Sequence, residues 1–377
     1  MTLGQVFDPR NNALNAIRLA LAAQVILFHS FVITGHMTGL ATSQLMVSVG
    51  VDGFFAASGF LITSSWLSRP RVRDYLVARA LRILPGFYVC LVVTAFVIAP
   101  LGVAIQGGSA GKLLMSAAPF EYVLENSAVA YVHLDVGGTP SGIPVSGAWN
   151  GSLWSLIWEV MCYLAVAVIG TAGLANRRWV SPAILTVAVV AAMLLPPLSF
   201  SETWTIPQLV VRSAITFAAG ALLYQFKDII PARWSLVGVS LVIVFAAGLL
   251  PDYRVIAAVP LAYIVIVSGA LTRGTRWNLR TDLSFGMYIY AFPVQQLLAI
   301  GGFADLNPLL FYVVSTVATL PLAAISWFVV EKRAMSLKSR LLRKWSTQAL
   351  SVPEPEREAT MVDPPVNLSA PEVRGIT

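Results

Sequence analysis

Residues 14–31 read LNAIRLALAAQVILFHSF. Apart from Asn15, Arg18, Gln24, His29 and Ser30 the run is apolar. About 20 mostly apolar residues are what an α-helix needs to cross a hydrocarbon core ~30 Å thick. The stretch therefore predicts a helix that spans a bilayer while carrying one arginine and one histidine.

Nine further runs of this kind follow, so that ten spans are expected, at roughly 13–33, 45–66, 83–104, 152–172, 179–196, 207–226, 234–250, 255–272, 283–301 and 308–330. The fifth and seventh are short and end at Pro196 and Pro251, and the stretch after Arg73 could begin as an interfacial helix ahead of the third span. Composition agrees. Of 377 residues, 57% are hydrophobic and only 11% charged, against about 25% charged in soluble domains, and the mean hydropathy is +0.76. A soluble enzyme, a disordered chain and a fibre are excluded. The runs are continuous instead of alternating with period two, which argues against a β-barrel. The expected class is an all-α polytopic membrane protein.

The net charge of +7 would point to nucleic acid in a soluble protein; here its placement along the chain gives the better reading. Ten spans sort the loops into two sets. Arg10, Arg69, Arg71, Arg73, Arg79, Arg82, Arg177, Arg178, Lys227, Arg233, Arg273, Arg276, Arg280, Lys332, Arg333, Lys338, Arg340, Arg343 and Lys344 fall on one side, and only Lys112 and Arg254 on the other. By the positive-inside rule both termini are cytoplasmic. Residues 1–346 form the membrane domain, and the Pro- and Glu-rich 347–377 a disordered cytoplasmic tail. The N-terminus lacks the pattern of a cleaved signal peptide. The external segment 105–151 is long and rich in Gly, Ser and Pro; a lid or a re-entrant piece over a site and a plain connector are all open to it. Cys90 and Cys162 lie singly in apolar runs, so neither a cysteine metal cluster nor a disulfide framework is expected.

Ionisable groups inside spans carry the functional signal, because each costs at least about 2.5–3.5 kcal/mol to insert. Arg18 and His29 are eleven residues apart, about three turns, which puts both on one helical face ~16 Å apart along the axis. Arg18 lies toward the cytoplasm and His29 toward the outside. His29 is the leading candidate for a base, since imidazole titrates near neutrality and His36 and His133 lie in external segments. Arg79 and Arg82 share a face at the cytoplasmic entrance, where guanidinium groups suit a phosphate-bearing ligand. Glu159 belongs to a polar stripe with Ser152, Ser155 and Tyr163, and Arg18, Arg82, Arg212 and His29 are all possible partners for its carboxylate. Ser58 lacks the G-x-S-x-G surroundings of a nucleophile. Asp52 stands near the external start of the second span, and Arg212 lies inside the sixth. No metal site is expected. A buried Arg–His–Glu set also fits a proton-coupled transporter or flippase of a glycan or lipid, and that alternative stays open on these residues alone. A sensor or scaffold would tolerate substitution at Arg18 and His29.

Six segments in this order resemble the bacterial integral-membrane acyltransferase family 3. Arg18 with His29 is similar to its R-x10-H signature. GVDGFFAASGF at 50–60, RALRILP at 79–85, SLWSLIWEVMCY at 152–163, SFGMYIYAFPVQQ at 284–296 and WFVVEKRA at 327–334 resemble its later blocks. The resemblance implies a multi-pass enzyme of the bacterial inner membrane that moves an acyl group, commonly acetyl, from cytoplasmic acyl-CoA to a hydroxyl of an exported or cell-surface polysaccharide. It implies His29 as the base, Arg18 as a donor-binding or relay residue, Glu159 as a supporting carboxylate, and Arg79 with Arg82 at the donor. Acyl-CoA would be a co-substrate, and no metal or nucleic acid is implied. Many members carry a histidine where Ala291 stands, and some a fused hydrolase-like domain; this chain would be a standalone version.

Overall fold

The computed structural model describes residues 1–36, 43–130, 132–197, 204–274, 277–279 and 281–337. The tail expected from 347 onward, with Arg276, Arg280, Lys338, Arg340, Arg343 and Lys344, lies outside these residues. Among the described residues there is no strand; two isolated bridges, Thr2 with Pro231 and Val136 with Thr139, are the only β pairing.

Ten long helices occupy the places of the ten expected spans. In chain order they are α1 (Leu14–Ile33), α2 (Ser43–Ser68), α3 (Val72–Ile105), α4 (Leu153–Thr171), α5 (Val180–Leu194), α6 (Ile206–Gln225), α7 (Trp234–Ala247), α8 (Arg254–Leu271), α9 (Ser284–Ile300) and α10 (Pro308–Leu337). Seven of them are long and apolar enough to cross a membrane; α5, α7 and α9 are shorter. Apolar side chains on the outer faces stand unpacked, with Val168, Val187 and Val242 each about two-thirds exposed or more (67%, 70% and 69%). That is the inverse of a water-soluble surface and the pattern of helices bathed in lipid. The chain is a polytopic helical membrane protein.

The third helix differs from expectation. Instead of an interfacial piece followed by a span, one helix of 34 residues runs from Val72. It accommodates Pro85 in its interior and a π-turn over Thr94–Ile98. Arg79 and Arg82 are therefore carried on the membrane helix itself.

Packing keeps the up-and-down alternation. The starts of α2, α6 and α8 meet through Asp52, Arg212 and Arg254. The starts of α1 and α9 meet α3 through Arg18, Asp282 and Arg82. Helices that begin at one face are thus joined at that face. Beneath the second set the N-terminal residues are tied to the loops and to the last turn of α8: Leu3 N donates to Ile230 O (2.8 Å), Ala13 N to Gly269 O (2.9 Å) and Arg273 Nη2 to Val6 O (2.7 Å).

Arg254 corrects the loop count. It heads α8 at 2% exposure, paired with Asp52, and is no solvent-facing loop charge. Of the two basic residues expected on the sparse side, only Lys112 faces outward.

Segment 106–151 is a folded cap. It contains short helices at Ala110–Leu114 and Ala118–Glu125 and buries Trp149 completely. Gln296 Nε2 on α9 donates to Val145 O (2.7 Å) and Ala148 O (2.6 Å), and Asn150 Nδ2 donates to Ile289 O (2.8 Å).

Helices α2 and α6 make the closest backbone approach. A Cβ at Gly59 would fall on the carbonyl oxygen of Phe217, and one at Gly220 on that of Ala56. Small residues let helices approach in this way where no hydrophobic effect drives them together. Replacing Gly220 with valine should cost about 1–3 kcal/mol through overlap with the backbone of α2. Gly238→Ala, where nothing lies within 4 Å, should be neutral or stabilising by up to about 1 kcal/mol. Thermal unfolding of the detergent-solubilised protein checks the contrast; equal midpoints for the two variants would contradict this account of the α2–α6 contact.

Candidate active site

Helix α9 organises the polar interior. It runs parallel to α1, with its beginning beside Arg18 and its middle beside His29. Asp282, two residues before α9 starts, accepts from Arg18 Nη1 at 2.6 Å and from Arg82 Nη2. Its other oxygen accepts from Ser284 Oγ (2.5 Å) and Ser284 N (3.2 Å). Ten residues on, the Phe292 ring meets the His29 imidazole edge to face at 4.9 Å. The shared face expected for Arg18 and His29 is thus the face α1 turns to α9.

Burial alone would raise the Asp282 carboxyl, but the charges of Arg18 and Arg82 outweigh it, and the Ser284 hydroxyl helps to hold the group well below the usual carboxylate range. The carboxylate serves both arginines at once. It fixes the α1 and α3 cations side by side with Arg79 three residues away on α3.

Arg79 donates from Nη2 to Ser65 Oγ (3.2 Å) and lies over the rings of Tyr75 (5.8 Å) and Tyr163 (6.0 Å). Arg82 lies 6.0 Å from the Trp327 ring of α10. A cavity of about 300 Å³ opens against Arg18, Arg79, Arg82, Ser58, Tyr163 and Met335. On the other side of Arg18 a smaller space of about 30 Å³ is lined by Arg18, Phe54, Ser155, Glu159, Phe285 and Tyr288. The Arg18 guanidinium, 5.8 Å from the Phe54 ring, stands between the two.

Glu159 finds none of the four partners expected for it. Its Oε1 accepts from Ser58 Oγ (2.9 Å) on α2 and from Tyr163 OH one turn along α4. Arg212 is taken by Asp52, Arg82 and Arg18 by Asp282. The stripe itself is real: Ser155 Oγ donates to Tyr288 OH (2.6 Å), which donates to Ser152 O (2.9 Å). Tyr288 and Phe292 are one turn apart on α9, so the small cavity and the His29 contact occupy neighbouring positions on that helix.

His29 is buried at 8% exposure, and its Nδ1 has no hydrogen-bond partner among the described residues. A neutral imidazole with an unengaged nitrogen can accept a proton. Ser58, held by Glu159, does not stand as a nucleophile beside a histidine.

Several members of the site were not singled out from sequence. Asp282 stands at the edge of the ninth run, and it is the acidic residue that the arginines of α1 and α3 require. Glu331, buried at 1% in the π-turn Ser326–Glu331 of α10, accepts from Ser326 Oγ (2.9 Å). At the opposite end Asp52 accepts from Arg254 Nε (2.6 Å), Arg212 Nε (3.1 Å) and Tyr253 OH (2.5 Å). Alternation of the spans places Asp52, Arg212 and Arg254 at one membrane face, and that was the usable signal. Among the described residues no group of acidic, cysteine or histidine side chains could hold a metal ion.

Removing the carboxylate would leave two part-buried cations unpaired, at a cost of about 3–5 kcal/mol. Asp282→Asn should therefore unfold at a clearly lower temperature than wild type at neutral pH. The sign with pH follows from the depressed carboxyl: its stabilisation is fully present above the ordinary carboxylate range, near 4, and is lost as pH falls through the lower folded value. Acidification should narrow the gap between wild type and Asp282→Asn, measured as thermal midpoints from pH 7 downward; a gap that widens would contradict the assignment.

Residues 11–328 match a family described as an acyltransferase domain. Over 366 residues the chain is 26% identical to a protein of Shigella phage Sf6 called O-acetyl transferase, covering 88% of this chain and 98% of that one. Over 365 residues it is 27% identical to Nodulation protein 10 of Rhizobium leguminosarum bv. viciae, covering 89% and 96%. No solved structure matches.

Proposed function

The chain belongs to that acyltransferase family, and from this premise we propose that it is an O-acyltransferase that uses cytoplasmic acyl-CoA, acetyl-CoA in the first instance, to acylate a hydroxyl of an exported or cell-surface polysaccharide. The observation that carries the reading is the position of Arg18: it borders the arginine-lined cavity on one side and the small Glu159–Tyr288 cavity on the other, on the same helix face as His29. The distribution of basic residues supports both termini in the cytoplasm, and so puts the arginine-lined cavity at the cytoplasmic side of a bacterial inner membrane.

In this reading the phosphates of the donor lie against Arg79 and Arg82, which can offer bidentate charge-assisted hydrogen bonds. The thioester arm passes Arg18 into the bundle. His29 takes the proton of the sugar hydroxyl at a ring nitrogen, the hydroxyl oxygen attacks the thioester carbonyl carbon, and the C–S bond breaks as the sulfur leaves and is protonated. Where His29 itself is acylated first, the imidazole nitrogen makes the attack and the hydroxyl then takes the acyl group from it. Both routes start from an uncharged imidazole. Glu159, fixed by Ser58 and Tyr163, orders the wall of the small cavity. The name O-acetyl transferase carried by the phage relative supports acylation of an oxygen; the glycan acceptor is the part of the proposal that rests on the order of the motifs.

His29→Ala should lower acyl transfer by about 10²–10⁴-fold while the protein remains folded and membrane-inserted. Full activity in that variant would sink the assignment. Arg79→Ala should weaken acyl-CoA binding by roughly 10–100-fold, the loss of one or two charge-assisted hydrogen bonds. Titration with acyl-CoA measures this directly, and unchanged binding would remove Arg79 from the donor site.

A further inference from the structure

Arg212 is used by neither the donor side nor the base. It is buried at 3% exposure in the first half of α6. Only its Nε is engaged, donating to Asp52 at 3.1 Å. Nη1 and Nη2 are both buried without a hydrogen-bond partner among the described residues. Asp52 is already well served: Arg254 Nε reaches it at 2.6 Å and Tyr253 OH at 2.5 Å, while Arg254 also holds Asp252 (3.0 Å) and Ser48 (2.7 Å). The forked end of Arg212 is thus surplus to the cluster.

Two indoles frame that end. The Arg212 guanidinium lies 4.9 Å from the Trp154 ring and 5.3 Å from the Trp204 ring, and the rings stand 5.2 Å apart, edge to face. Both tryptophans are only part-buried, whereas the guanidinium they frame is buried. Trp154 directly precedes a residue of the small cavity in sequence. Its neighbour Ser155 donates to Tyr288 OH, and both line the small cavity beyond Arg18.

A guanidinium fork with free donors at the base of an aromatic wall matches one chemistry. Its N–H groups take a planar or tetrahedral oxyanion, and an indole face takes the apolar C–H face of a sugar ring. We infer that Arg212, with Trp154 and Trp204, forms a binding site for an oxyanion carried by the acceptor glycan, a carboxylate or a phosphate on the sugar, holding the acceptor at the outer end with its hydroxyl toward Ser155 and Tyr288. The inference rests on the acyltransfer reading for the word acceptor; the oxyanion site itself is tested by binding.

The test titrates the purified full chain in detergent with galactose, galacturonate and galactose 1-phosphate, which share a ring and differ in the anion. At least one anionic sugar should bind tenfold or more tightly than galactose, and the tighter of the two identifies carboxylate or phosphate. Arg212→Gln should erase that preference, with Asp52 still paired to Arg254; Arg212→Lys should keep part of it. Trp204→Ala, which leaves the Asp52 cluster intact, should weaken all three sugars at least threefold. Equal binding of the three sugars by wild type, a preference that survives Arg212→Gln, or no change in Trp204→Ala each overturns the site. Displacement of the anionic sugar by phosphatidylglycerol micelles, but not by galactose, would overturn it in favour of a lipid headgroup. Acyl-CoA binding and transfer are measured on the same samples: their absence in wild type defeats the acyltransfer reading and leaves the sugar preference to stand or fall separately.

Discussion

One carboxylate between two arginines holds each end of this bundle. At one face Asp282 joins Arg18 of α1 to Arg82 of α3; at the other Asp52 of α2 joins Arg212 of α6 to Arg254 of α8. The constraint behind both is the cost of a bare charge in hydrocarbon. An arginine on a membrane helix must meet an anion, and an anion that meets two arginines ties three chain segments together. Attraction between apolar helices in lipid is weak, because lipid tails are as apolar as the side chains. Such clamps, with the Gly59–Gly220 contact of α2 and α6, therefore fix which helices are neighbours and in what register.

The rest of the interior follows from that register. With Asp282 pinned beside Arg18, α9 must run parallel to α1, and its Tyr288 and Phe292 are delivered to the two levels above. Tyr288 reaches Ser155 of α4, and Phe292 reaches His29. The cap over 106–151 is anchored to the same helix through Asn150 and Gln296. Helix α9 is nearly all buried, and its polar side chains bond to neighbouring segments, Tyr288 to Ser152 and Ser155, Gln295 to Ile26 and Ser30, and Gln296 to Val145 and Ala148.

The fold was legible because hydropathy marks every lipid-facing helix and the basic residues mark their ends. The candidate site was legible in part. Arg18 and His29 stood out as ionisable groups in an apolar run, and spacing placed them on one face. Glu159 stood out for the same reason, but its partners did not: hydroxyls at Ser58 and Tyr163 satisfy it, and hydroxyls leave no charge signature in a sequence. Asp282 was hidden by its position at the edge of a run, where an acidic residue looks like a loop flank. Arg254 misled for the mirror reason, a loop position by count and a buried one by contact. Burial and charge alone also left a proton path through a transporter in play. The order of six motifs pointed to an acyltransferase, and the family match bears it out.

The two ends differ in what their clamps leave over. Near the first, Arg18, Arg79 and Arg82 face Asp282 and Glu331, and the cations line an open cavity while both carboxylates are turned to serine hydroxyls and arginine. Near the second, Arg212 and Arg254 face Asp52 and Asp252, and the surplus is the forked end of a single guanidinium. A ligand with several phosphates is drawn to the first arrangement, where separate guanidinium groups can each take an oxygen at short range in a low dielectric. A single oxyanion suffices for the second. In the proposed reading the asymmetry supplies two different addresses, a polyanionic one for the donor on the side of the basic loops and a monoanionic, aromatic one for the acceptor opposite. Arg18 borders both the arginine-lined cavity and the small Tyr288 cavity.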